Sequence, residues 1–220
     1  ALSTTITKIT VPTKTGYTFG GYYTAANGGG TQYINASGSF VNNPHTALKS
    51  NTTLYAKWTA NTISVTYNQN GGSGVSPASN TVTYNTKYKL PTTNPTKTGY
   101  TFAGWFTSAS GGTQVTTNTT LTNASNHSIY AHWTINKYNV TLKVVNGTPA
   151  TETKSVEYNK STTFTIKANS GYKLDGATVS CTGGSYNQAG TLTVSNVTSA
   201  RTCTITLATN RITINVVSKT

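Results

Sequence analysis

Methionine is missing from the 220 residues, and acidic residues nearly so: three Asp and Glu stand against sixteen Lys and Arg, a formal net charge of +13. Residues 1–134 hold no carboxylate side chain at all. That excludes a carboxylate acid–base pair from this stretch. It equally excludes a Ser-His-Asp triad, which needs an acid to orient its imidazole, and it argues against calcium, whose oxygen ligands usually include carboxylates. The three acids, Glu152, Glu157 and Asp175, stand apart from one another. His45, His127 and His132 sit in three unrelated contexts with no ligand spacing, so no metal site and no enzyme is expected. There is no apolar run of about 18 residues, hence no helical membrane span. No leader is visible, and with methionine absent the chain reads as a mature or excised piece. Cysteine is scarce too. Cys181 and Cys203 both fall in the last third, in similar strand-like contexts. A disulfide between them is the first reading and implies an oxidising, extracellular setting; two free buried thiols are the second.

Thr, Asn, Ser, Gly and Tyr make up most of the remainder. Thr and Tyr suit pleated, half-buried surfaces, and Gly and Asn suit turns. The dominant feature is self-similarity. Pro12-Thr-Lys-Thr-Gly-Tyr-Thr-Phe-Gly-Gly-Tyr22 returns as Pro95-Thr-Lys-Thr-Gly-Tyr-Thr-Phe-Ala-Gly-Trp105, identical at nine of eleven positions. Each copy is followed by Gly-Gly-Thr-Gln and closes on an aromatic signature, Leu54-Tyr-Ala-Lys-Trp58 or Ile129-Tyr-Ala-His-Trp133. His132 thus stands where the first copy has Lys57, which predicts an exposed side chain. Repetition of this kind marks an array of small units.

The expected fold is mainly β with little helix: a tandem array of three small β-rich domains. Residues 1–60 form a first unit, whose opening residues 1–11 read as a strand and whose loop 33–53 has room for one helical turn. Residues 61–134 form a complete unit, with Ile63, Val65 and Tyr67 alternating in its first strand and Val82 and Tyr84 in its second. Residues 135–209 form a diverged unit of nearly equal length, read as β-sandwich-like with one disulfide. There Tyr138–Leu142 replaces the first strand, Val156-Glu-Tyr-Asn159 echoes Val82-Thr-Tyr-Asn85, and Gly171-Tyr172 echoes Gly99-Tyr100. Each junction begins with asparagine, at Asn61, Asn136 and Asn210. By that pattern residues 210–220 are a surplus first strand, and the first unit lacks its own.

The repeated Gly-Tyr-Thr-Phe-x-Gly-Trp/Tyr, Gly-Gly-Thr and Leu/Ile-Tyr-Ala-x-Trp elements resemble the internalin-type B-repeat, or Listeria–Bacteroides repeat, over roughly residues 1–134. Residues 135–209 more loosely resemble the divergent bacterial repeat domains that often follow it. The resemblance implies β-grasp-like or immunoglobulin-like modules in secreted or wall-attached bacterial surface proteins, acting as stalks, spacers or adhesion modules without shared chemistry or cofactor.

Missing and surplus strands together suggest strand donation. Ile212, Ile214 and Val216 of one chain would enter the first unit of the next, against Tyr17, Phe19, Leu54 and Trp58, giving a head-to-tail filament of copies. Alternatively, the boundaries cut a longer array and both end strands are fragments. A different function class is a binding module for glycan or anionic cell-wall polymer, using the basic charge and the aromatic side chains. Trp58, Trp105 and Trp133 fit core packing better than a sugar platform. The bases are scattered singly, so nucleic acid is not an expected partner.

Overall fold

A computed structural model describes residues 7–42, 50–211, 214 and 216. Two compact units divide the chain, one of Ala1–Thr96 with Phe102–His132 and one of Lys97–Thr101 with Trp133–Thr220. The protein is mainly β, built from several small sheets. Among the described residues the only helix is the 3-10 turn Ala26–Gly28.

The first compact unit opens with a three-stranded sheet. β1 (Tyr17–Ala25) lies between β2 (Gly29–Ile34) and β3 (Tyr55–Ala60), antiparallel to both. The register of β1 slips between Phe19 and Gly21. Gly21 takes φ +114° there, and Gly104 takes φ +125° at the same place in the second copy. A β-bulge that demands positive φ explains why the motif carries glycine before its last aromatic. Of the strand expected over residues 1–11, residues 1–6 lie outside the described ones, and within 7–11 Lys8 makes only an isolated bridge to Ser39.

The second sheet contains β4 (Thr62–Asn68), β5 (Ser79–Thr83), β6 (Tyr100–Phe106), β7 (Gln114–Val115) and β8 (His127–Ile135), in the order β5-β4-β8-β6-β7. β4 is antiparallel to β5 and parallel to β8, with Val65 opposite His127 and Tyr67 opposite Ile129. The alternation in β4 turns Ile63, Val65 and Tyr67 inward. They join Val82, Trp105, Val115, Leu121 and Ile129 in a core in which no side chain is more than 4% exposed. The Tyr67 hydroxyl donates to Lys89 O and accepts from Asn80 Nδ2 at 2.8 Å, so the buried phenol is satisfied. Tyr84, expected inside the second strand, falls in the turn that follows β5.

The second compact unit adds β9 (Lys137–Val145), β10 (Gly147–Thr148), β11 (Thr151–Glu157), β12 (Thr162–Thr165), β13 (Lys167–Ala168), β14 (Tyr172–Ser180), β15 (Gly184–Asn187), β16 (Thr191–Val194) and β17 (Arg201–Thr209). Its larger sheet runs β11-β9-β17-β14, with β9 parallel to β17. This is the order β5-β4-β8-β6 again, so the diverged segment keeps the sheet plan of the second repeat. A smaller sheet, β12-β16-β15, supplies the other side of a sandwich. Val140, Leu142, Val144, Phe164, Leu192, Val194, Ile205 and Leu207 meet between them. Cys181 and Cys203 form the disulfide, closing 22 residues between the end of β14 and the middle of β17.

Replacing both cysteines by alanine should lower the unfolding free energy of this compact unit by about 3 kcal/mol, from loop-closure entropy, as read by urea denaturation; an unchanged midpoint would contradict this. Alkali should act on both units, since burial raises the Tyr186 phenol of this one as well. Burial raises the Tyr67 phenol above its usual value, partly offset by the hydrogen bond from Asn80, and burial raises Tyr88 as well. Folding thus favours their neutral forms, so their contribution is intact below the ordinary tyrosine pKa of about 10 and declines as pH rises above it. Late-ionising tyrosines in an absorbance titration, with stability falling over the same range, is the expected result.

Candidate functional site

Among the described residues the acids and histidines stand apart from one another. Each carboxylate lies at the surface beside a lysine: Glu152 with Lys154 (3.3 Å), Glu157 with Lys137 (3.5 Å) and Asp175 with Lys173 (3.6 Å). His127 binds the Tyr88 hydroxyl through Nε2 at 2.9 Å and Ser125 O through Nδ1 at 2.8 Å. His132, expected to be exposed, stacks half-buried on Phe106 at 3.9 Å between centroids. His45 lies outside the described residues. Among the described residues no group of three His, Cys, Asp or Glu could hold a metal.

What the fold does assemble, twice, is a clasp built from the repeated motif. Lys14-Thr-Gly-Tyr17 and Lys97-Thr-Gly-Tyr100 are turns closed by the tyrosine N–H on the lysine carbonyl, 3.0 Å each. The third residue of each, Gly16 or Gly99, has φ +78° or +79°, as a type II turn requires. Its carbonyl accepts the N–H of the asparagine that opens the next segment, Asn61 to Gly16 and Asn136 to Gly99, both at 2.9 Å. The asparagine carbonyl in turn accepts the N–H of the tyrosine just past the next segment's second strand, Tyr84 to Asn61 and Tyr158 to Asn136, both at 2.8 Å. The threonine after the turn also donates to the asparagine side chain, Thr18 to Asn61 Oδ1 at 2.6 Å and Thr101 to Asn136 Oδ1 at 2.7 Å. Finally the tyrosine ring lies on the glycine. A Cβ placed on Gly16 would run into the Tyr84 ring, and one on Gly99 into the Tyr158 ring. Only glycine allows that approach.

A cationic cap completes each clasp. Lys14 Nζ stands 4.2 Å from the Tyr17 ring centre and 5.9 Å from Trp58; Lys97 Nζ stands 4.6 Å from Tyr100 and 5.8 Å from Trp133. Trp58 and Trp133 are half-buried, whereas Trp105 belongs to the core at 2% exposure. Beside the first cap lies a groove of about 410 Å³ lined by Val11, Pro12, Lys14, Tyr17, Phe19 and Trp58.

The acceptor residues expected from the sequence separate in the structure. Tyr17 belongs to the clasp, edge-on to Tyr84 at 5.6 Å. Phe19 packs on Tyr22 at 5.2 Å and on Trp58 at 5.4 Å. Leu54 is half-buried just before β3. Tyr22, Leu54 and Ala56 are half-buried, while Trp105, Ile129 and Ala131, their counterparts in the second copy, are at 2%, 0% and 0% exposure. The difference is β4: among the described residues β3 pairs only with β1. β3 also starts at Tyr55, the counterpart of Tyr130, so it lacks the three positions with which β8 begins to pair with β4. Of the expected donor residues, Ile214 and Val216 are 79% and 88% exposed, and Ile212 lies outside the described residues. The three asparagines and the Val-x-Tyr-Asn echo are visible in the sequence; that they meet is not.

The fold and the clasp define a class: tandem modules of small β-sheets joined through a repeated turn. Residues 2–57 and 64–132 match the Listeria-Bacteroides repeat domain, and the chain belongs to that family. It is similar to Internalin H of Listeria monocytogenes, 36% identical over 127 residues, covering 58% of this chain and 21% of that protein. Two proteins of Evansella cellulosilytica are also similar. One, named as a Gly-rich membrane protein, is 32% identical over 154 residues, 68% of this chain and 18% of its own length. The other, named as a membrane protein, is 30% identical over 154 residues, 70% and 21% respectively. The chain spans about a fifth of the length of these curated relatives. No described helix is long and apolar enough to cross a membrane.

The clasp makes a comparison of glycines decisive. Gly171→Ala, with open space around it, should cost about 1–2 kcal/mol of left-handed backbone strain. Gly99→Ala adds a clash with Tyr158 worth about 1–3 kcal/mol more. Equal losses in denaturant unfolding would refute the ring-on-glycine contact.

Proposed function

We propose that the chain is a structural, non-enzymatic link in an extracellular bacterial surface protein, a stalk, adhesin or fibre element. The observation that carries this reading is the clasp, whose residues recur in both copies and tie each motif turn to the segment that follows. Relatives named as an internalin and as membrane proteins support a surface location.

The finer reading concerns the side of β3 that pairs with no strand among the described residues. A strand like β4 would complete the first sheet, and Ile212, Ile214 and Val216 occupy the places of Ile63, Val65 and Tyr67 when Asn210 is aligned on Asn61. Transferring the β4–β8 register puts Ile214 opposite Thr52 and Val216 opposite Leu54. Donation of this tail to another copy would bury two of the most exposed apolar side chains and complete a hydrogen-bond ladder. A second reading is favoured by the groove beside Lys14: with a net charge of +13, it suits an anionic wall polymer or glycan.

Mixing Thr52→Cys chains with Ile214→Cys chains under mild oxidation should give a disulfide-linked dimer, and deleting residues 210–220 should abolish any filaments seen by negative stain. Filaments that persist after the deletion would refute tail donation. Retention on purified wall polymer at low salt that is lost on Lys14→Ala would instead favour the second reading.

A further inference from the structure

A third copy of the clasp frame exists, and it is half built. Asn169-Ser-Gly-Tyr172 is a turn closed by the Tyr172 N–H on Asn169 O at 3.1 Å. Gly171 has φ +83°, beside +78° and +79° at Gly16 and Gly99. Its carbonyl accepts the Asn210 N–H at 2.8 Å, as Gly16 and Gly99 accept Asn61 and Asn136. Tyr172 sits opposite Thr209 across β14 and β17, as Tyr17 sits opposite Ala60 across β1 and β3. The seat and its hinge are therefore in place. Exposure of the glycine follows what covers it. Gly16, under Tyr84, is buried; Gly99, under Tyr158, is half-buried; Gly171 is exposed, with nothing among the described residues within 4 Å of where a Cβ would stand. Among the described residues no donor reaches the Asn210 carbonyl, which in the other two clasps receives a tyrosine N–H.

We infer that the Gly171–Asn210 face is a docking surface for one tyrosine, carried in a Val-x-Tyr-Asn strand end of a further β unit continuous with Asn210. This rests on the reading of the chain as a link in an array, but not on tail donation between copies. In both filled clasps the tyrosine comes from such a strand end. Val82-Thr-Tyr-Asn85 and Val156-Glu-Tyr-Asn159 each place the tyrosine in a turn, with φ +62° at Asn85 and +60° at Asn159. The face uses two groups, the bare Cα side of Gly171 and the Asn210 carbonyl. The side-chain embellishments differ: Lys173 stands where Thr18 and Thr101 hold the asparagine side chain, Asn169 where Lys14 and Lys97 cap the turn, and Leu207 where Trp58 and Trp133 close it. The third joint is thus held by backbone hydrogen bonds and one ring, without a cationic cap.

The test extends the full chain by replacing residues 210–220 with a copy of residues 61–135, which brings its own equivalents of Asn61 and Tyr84. With glycine labelled for NMR, the Gly171 Hα signals should move upfield under the ring current, toward those of Gly16 and Gly99. Changing the appended tyrosine to alanine should return them to their place in the unextended chain. In a double-mutant cycle, Gly171→Ala and the appended Tyr→Ala should couple at least fivefold in the unfolding equilibrium constant. A folded appended unit with no shift and no coupling would overturn the inference while leaving the array reading intact. So would an appended unit that stays unfolded, because the face would then give no support. If the natural pair Gly99 and Tyr158 also fails to couple, the joint reading falls with it. A Gly171 shift that grows with concentration in the unextended chain would assign the face to a second copy and overturn occupancy by a continuous unit.

Discussion

One backbone hydrogen bond, from an asparagine N–H to the carbonyl of a turn glycine, is the constraint on which the rest of this molecule depends. It is made three times, at Gly16, Gly99 and Gly171, at 2.9, 2.9 and 2.8 Å. It fixes where one segment's closing strand ends and the next segment's first strand begins. The glycine must take positive φ to present that carbonyl, and the absence of a side chain then lets a tyrosine lie over it. The motif Lys-Thr-Gly-Tyr is therefore joint hardware. Its conspicuous lysine and aromatics stabilise the turn from outside, and the glycine does the joining.

Within a segment the corresponding constraint is the parallel pairing of first and closing strands, β4 with β8 and β9 with β17. Parallel pairing makes the first strand central to its sheet. Among the described residues β3 pairs only with β1, and Tyr22, Leu54 and Ala56 beside it are half-buried. Side chains alone could have been covered by any apolar surface. Among the described residues the second edge of β3 has no strand partner.

Much of this was legible in the sequence because a repeat supplies its own internal comparison. The alternation of Ile63, Val65 and Tyr67 announced β4, and that of Tyr138, Val140 and Leu142 announced β9. The cysteine pair was readable from its matched strand contexts. Other parts were not legible, for physical reasons. Residues 7–11 continue a strand-like alternation but find only an isolated bridge partner, since pairing depends on neighbours that periodicity does not supply. Tyr84 continues the alternation of β5 yet leaves it, because Asn85 turns the chain. Asn61, Gly16 and Tyr84 are separated by 45 and 23 positions, and nothing in composition says that such distant residues converge. The family match covers residues 2–57 and 64–132, whereas the sheet order shows the same plan continuing beyond them, where side chains have diverged and backbone pairing has not.

The three carboxylates, each on the surface beside a lysine, have a consequence for chemical tolerance. Acid unfolding is driven mostly by carboxylates that the native fold keeps ionised in internal hydrogen bonds or ion pairs, which must take up protons as pH falls. This fold keeps no carboxylate inside, and its exposed pairs contribute little. The apolar cores and backbone ladders that hold the sheets together include none of these carboxylates. Losing the three carboxylate charges would therefore break only surface pairs with lysine, and it would leave the chain more positive than its formal +13.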